Sequence, residues 1–259
     1  MSQSGVLIVM VATSLATWWS WWRRWRKMGF LWPRETPKDS TWSPVLLVPV
    51  VSYVTLCVVT VFLPRKAISI AQDAEPIMLT TITINCFISF FLLIGLRATS
   101  PRRVAENDFN LADWKTQLSD GLETALAGFV PVLAVLLATQ VWRTPQDQHV
   151  ILQTLMQDAS FRTLALVVVS AVLIVPLAEE LLFRVVLLGW LKTCLSRGAA
   201  LTISSLAFAA MHGWPDGIAL VPLAFLLGSL YDHQHRLLPI YTAHAFFNLT
   251  NILLTLAAR

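Results

Sequence analysis

Three ionisable side chains, Glu179, Glu180 and Arg184, lie inside the apolar run 161–192, FRTLALVVVSAVLIVPLAEELLFRVVLLGWLK. A charge at the centre of a membrane helix costs about 2.5–3.5 kcal/mol on insertion scales, so each needs a reason to be there. Glu180 and Arg184 are four apart with the acid on the N-terminal side, the favoured order for an ion pair along one helix face. Glu179 lies about 100° round the helix from Glu180, and the residue four further on is Phe183, so its own helix offers it no basic i+4 partner. The bland alternative is a packing triad that ties helices together. A buried carboxyl without a local partner needs one elsewhere, and the next run, AALTISSLAFAAMHG, carries His212. With a turn centred near Leu195–Ser196, Glu179 and His212 each stand about sixteen residues from it, on the order of 25 Å along their helices at 1.5 Å per residue. The spacing predicts that they meet at similar depth. His244 and Asn248 in the last run, LPIYTAHAFFNLTNILLTLA, share a face one turn apart. Helix rise alone leaves them about 10 Å from the level of His212, so tilt or a broken helix must close the gap. Taken alone, that pair and Asn251 read as an interhelical hydrogen-bond clamp.

The other polar residues point to no chemistry. His233 and His235, with Asp232 and Arg236, form an interfacial turn, and His149 belongs to a solvated loop. The eleven tryptophans, among them Trp18, Trp19, Trp21, Trp22 and Trp25, suit an interface belt. Cys57, Cys86 and Cys194 lie far apart with no C-x-x-C pair, so neither a disulfide framework nor a thiolate metal site is suggested.

The elements that must position these groups are membrane helices. Of 259 residues 56% are apolar and only 13% charged, where a soluble domain carries about 25%. The mean hydropathy is +0.65. This excludes an ordinary soluble enzyme. The net charge of +4 comes from bases at the ends of apolar runs, which excludes nucleic acid as the expected partner. Eight runs qualify as spans: 5–22, 44–63, 77–96, 121–142, 161–192, 199–213, 217–231 and 238–256. The first ends in WWSWWRRWRK, an aromatic anchor and basic stop without a cleavage site, and reads as a retained helix. The second opens at Pro44 and closes at Pro64-Arg65-Lys66. The stretches around 97–120 and 143–160 read as connecting loops. The expected fold is an all-α polytopic bundle, with about four N-terminal helices over 1–160 and a four-helix core over 161–259 enclosing the active site. Thirteen bases (Arg23, Arg24, Arg26, Lys27, Arg34, Lys38, Arg97, Arg102, Arg103, Lys115, Lys192, Arg197, Arg236) fall on one side of such a bundle. Five (Arg65, Lys66, Arg143, Arg162, Arg259) fall on the other, which places both termini on the non-cytoplasmic side.

Together Glu179-Glu180-Leu-Leu-Phe-Arg184, Phe208-Ala-Ala-Met-His212 and His244-Ala-Phe-Phe-Asn248 resemble the E-E-x-x-x-R, F-x-x-x-H and H-x-x-x-N signature of the CPBP intramembrane endopeptidases. That family includes the type II CAAX prenyl endopeptidases and bacteriocin-processing or self-immunity relatives. The resemblance spans about residues 161–256. It implies a glutamate-type peptidase acting on a membrane-associated peptide or protein, in the cytoplasmic membrane if the source is bacterial, with no cofactor and a water-filled cavity opening to the cytoplasm. It further implies that Glu179 takes the proton of the attacking water, His212 holds that water, and His244 with Asn248 donate to the oxyanion. Glu180, Arg184 and Phe208 support the site. Two other readings stay open: a zinc site with Glu179, His212 and His244 as ligands, against which stands the lack of an H-E-x-x-H motif, and a non-catalytic immunity or scaffold protein.

Overall fold

The computed structural model of the chain describes residues 3–32, 42–62, 70–143, 150–158 and 160–257, among which every regular element is helical. Arg34, Lys38, Pro64, Arg65, Lys66, His149 and Arg259 lie outside the described residues, as do the side chains of Cys57 and Arg103. The helices are α1 (Gln3–Met28), α2 (Leu47–Phe62), α3 (Ile70–Thr99), α4 (Trp114–Ala138) and α5 (Val150–Gln157). They continue with α6 (Phe161–Cys194), α7 (Arg197–Ala210), α8 (Asp216–Gln234) and α9 (Leu237–Ala257). The molecule is an all-α polytopic bundle.

Among the described residues five helices, α1, α3, α4, α6 and α9, are long and apolar enough to cross a membrane. The other three expected spans are helical too, but shorter or more polar. The apolar helical stretch over Pro44–Thr55 is short, and α7 has only 14 residues, about 21 Å against a hydrocarbon core of roughly 30 Å. α8 begins at Asp216 and ends in Asp232, His233 and Gln234. The 143–160 connection is not merely a loop: it contains α5, whose Thr154 and Leu155 are buried. The indole belt also divides. Trp19, Trp22 and Trp25 are exposed as a belt requires, whereas Trp21 is buried and donates to Glu123 at 3.1 Å.

Prolines inside membrane helices leave carbonyls without a donor, and here neighbouring helices supply one. Pro131 in α4 cannot donate to Ala127, whose carbonyl accepts from Trp18 Nε1 of α1 at 2.9 Å. In α6 the turns widen over Val168–Ile174, so that the Val175 N–H reaches back five residues to Ser170. The next acceptor in that register is Ala171, and its donor would be Pro176, which has no N–H. Asn248 Nδ2 of α9 donates to that carbonyl at 2.8 Å.

Ion pairs show which helix ends share a face. Arg24 pairs with Glu123 at 3.0 Å, and Asp232 with both Lys192 and Arg197, on the base-rich face. Arg143 pairs with Asp216 and Arg162 with Glu75 on the opposite face. α4 and α9 approach closely at Gly121, where an added Cβ would meet the Pro239 carbonyl at 2.5 Å.

Candidate active site

Glu179 and Glu180 stand at the middle of α6, just before its second stretch of wide turns, Leu181–Leu188. Arg184 Nη1 bonds Glu180 Oε1 at 3.2 Å, as the i,i+4 spacing predicts, and both side chains are at most 1% exposed. A second partner reaches the same oxygen: His244 Nδ1, at 2.7 Å. A carboxylate can only accept, so the Nδ1–H donates and the ring turns Nε2 the other way. That nitrogen lies 3.6 Å from Glu179 Oε2, an ion-pair distance too long for a hydrogen bond. The basic group nearest Glu179 is therefore His244, where spacing alone suggested His212.

The turn between α6 and α7 falls at Leu195 and Ser196, the latter capping α7 through its Oγ. α7 stops at Ala210, ahead of Gly213, whose φ of +71° suits only a residue without a side chain. His212 thus sits in the turn after α7 and not on the expected helix. Its Nδ1 lies 3.0 Å from the Phe208 carbonyl. A carbonyl only accepts, so Nδ1 carries the proton and, in the neutral ring, Nε2 keeps its lone pair.

Phe208 is the centre of this cluster. Its ring carries the Arg184 guanidinium at 4.0 Å over one face. It also contacts His212 and His244 at centroid distances of 4.8 and 5.6 Å. The separation between His212 and His244 left open by helix rise is bridged by one aromatic ring.

Glu179, His212, His244 and Asn248 all line a single cavity of about 1020 Å³. Glu180 and Arg184 do not line it, being sealed behind Phe208 and His244. The first 160 residues also wall the cavity, through Met78 and Asn85 of α3, Val132 of α4 and Arg143. Asn85 Oδ1 and Ser170 Oγ are buried there without a hydrogen-bond partner among the described residues. Asn85 had a readable signal, an amide inside the apolar run 77–96. Ser170 had none, because nothing in VVVSAVL shows which face of the helix meets a cavity. Asn251 lines the cavity one turn beyond Asn248. Among the described residues no three His, Cys, Asp or Glu side chains gather closely enough to hold a metal ion.

No curated protein and no solved structure matches the chain. Among protein-family models, residues 161–250 match the one described as type II CAAX prenyl endopeptidase Rce1-like. That stretch holds all three signature strings and every cavity-lining group of the cluster, so the similarity of this integral membrane protein to the type II CAAX prenyl endopeptidase Rce1-like family falls on the residues that form the site.

Proposed function

We propose that the chain is a glutamate-type intramembrane endopeptidase in which residues 161–259 carry the chemistry and residues 1–160 complete the wall of the substrate cavity. The observation that carries this reading is the division of the two glutamates: Glu179 opens on the cavity together with His212, His244 and Asn248, while Glu180 is spent on Arg184 and His244.

In the proposed reaction His212 Nε2 accepts a hydrogen bond from a water molecule and orients it, because Nδ1 is already committed to Phe208. Glu179 removes the water proton as the oxygen attacks the substrate carbonyl carbon. The tetrahedral oxyanion accepts from His244 Nε2–H, the ring acting as imidazolium with its Nδ1–H held by Glu180, and from the second Nδ2 hydrogen of Asn248. Glu179 then returns the proton to the amide nitrogen as the C–N bond breaks, giving one carboxyl and one amino terminus. No step is routed through a metal.

Because the substrate is unidentified, the test reads products. New protein N-termini are mapped in membranes of cells expressing the wild-type chain or Glu179→Gln. The proposal expects termini that depend on Glu179, and identical sets from the two strains contradict it.

A further inference from the structure

The cavity wall carries two polar groups that the reaction at Glu179 does not use. Asn85 of α3 is 4% exposed and Ser170 of α6 is fully buried, and both line the cavity. Among the described residues neither Asn85 Oδ1 nor Ser170 Oγ has a hydrogen-bond partner. The Asn85 amide nitrogen already donates to the Thr81 carbonyl at 2.9 Å, which leaves its oxygen as the open acceptor. A hydroxyl inside a helix can be spent on the carbonyl four residues earlier, as those of Thr124 and Thr250 are. Ser170 makes no such bond, so its O–H stays available as a donor.

The two groups stand at one level. α3 and α6 run in parallel from the end where Glu75 pairs with Arg162. Counted from that pair at about 1.5 Å per residue, Asn85 lies about 15 Å, Ser170 about 12 Å and Glu179 about 25 Å along the helices. α9 meets the same level, since Asn248 bonds the carbonyl of Ala171, next to Ser170. The layer thus lies about 10–13 Å from Glu179, or about three to four extended residues at roughly 3.3 Å each. From a scissile carbonyl held between Glu179 and Asn248 the span is about two to four residues.

An acceptor and a donor at one level match a single residue of an extended chain, whose N–H and C=O point to the same edge. A peptide that leaves water must find partners for both groups. The apolar side chains of Ala74, Met78 and Ile252, which also line the cavity, offer none. A helical substrate has both groups bonded internally and gains nothing from the layer. We propose that Asn85 and Ser170 form a main-chain subsite, in which Asn85 Oδ1 accepts from the N–H, and Ser170 Oγ–H donates to the C=O, of one substrate residue near the scissile bond. The substrate is an unwound, extended segment that this layer recognises by its backbone and not by a side chain. The assignment rests on the proposed protease reading.

The test uses the purified chain in lipid nanodiscs and a peptide spanning a Glu179-dependent cleavage site. Each amide away from the scissile bond is replaced in turn by an ester, which deletes one N–H. In the wild type one replacement, about two to four residues from the bond, should raise KM about tenfold while kcat holds. Asn85→Ala should raise KM for the all-amide peptide by a similar factor, and the same ester should then cost nothing further. Ser170→Ala gives a second reading if Asn85→Ala does not fold: its deficit against wild type should vanish on a peptide truncated short of that position. Ester penalties that are the same in wild type and Asn85→Ala, or a Ser170→Ala deficit that persists on the truncated peptide, overturn the subsite; a layer that holds only water gives that result. A coupled position that responds to side-chain exchange and not to the ester overturns the main-chain assignment. Glu179-dependent cleavage without coupling refutes the subsite alone, whereas the absence of Glu179-dependent cleavage refutes the protease reading and the subsite with it.

Discussion

At the scale of single residues, the adjacent Glu179 and Glu180 stand in opposite surroundings, one facing the cavity and the other Arg184. Glu179→Gln is expected to abolish activity while leaving the detergent-solubilised protein folded. Arg184→Ala is expected to lower stability by about 3–5 kcal/mol, since it removes the buried guanidinium and leaves Glu180 Oε1 with the His244 Nδ1–H alone. Thermal melts and product mapping on both variants check the division, and equal instability of the two would refute it. Asn248 has two jobs, one amide hydrogen on the Ala171 carbonyl and one toward the cavity, so Asn248→Ala should lower both kcat and stability. Loss of an oxyanion donor costs about 10²–10³ in kcat. Pro176→Ala restores an N–H to α6, so in the double variant the stability loss should shrink while the rate stays low. A melting point that is not rescued would show that the proline does not create the demand that Asn248 meets. The Glu180–Arg184 pair was legible in the sequence because it is local. The His244 bond to Glu180 and the Asn248 bond to Ala171 were not, because each depends on how α9 packs on α6.

At the scale of elements, the proline-freed carbonyls act as interhelical sockets. Trp18→Phe removes the indole donor and leaves the Ala127 carbonyl with only a 3.5 Å contact from Ser14, which should cost about 1–3 kcal/mol. Pro131→Ala should make the same substitution milder, which paired thermal melts will show. The base-rich end is locked differently. Burial would raise the Asp232 carboxyl, but the hydrogen bond and charge of Lys192, with the charge of Arg197, outweigh it and hold it below the usual carboxylate range. Stability from this cluster is therefore present above the unfolded value of about 3.9 and is lost as pH falls through the lower folded value. The melting-point gap between wild type and Asp232→Asn should accordingly narrow between pH 7 and pH 3, and a constant gap would contradict the pairing. Helix identity was legible throughout, because apolar runs of span length have few other readings. The early stop of α7 and the wide turns of α6 were not: hydrophobic patterning carries no record of hydrogen-bond register, and only Gly213 and Pro176 hinted at them.

At the scale of the molecule, one cavity gathers groups from α6, α7 and α9 and takes the rest of its wall from α8 and from helices outside the family match. The motif strings made the cluster readable, since residues 161–250 supply all four groups. The contribution of α3 and α4 to the wall was hidden, because only tertiary packing brings Asn85 and Val132 to the same space. Inside such a cavity a carboxylate and two histidines can work either on water directly or through a metal, and these alternatives differ in one observable. The direct measurement is the cleavage rate of the purified chain in lipid nanodiscs after exhaustive metal removal, with a peptide taken from a Glu179-dependent cleavage site. Water activation by Glu179 predicts an unchanged rate and no gain on adding zinc. A metal-free protein that is inactive and recovers with one equivalent of zinc would contradict it.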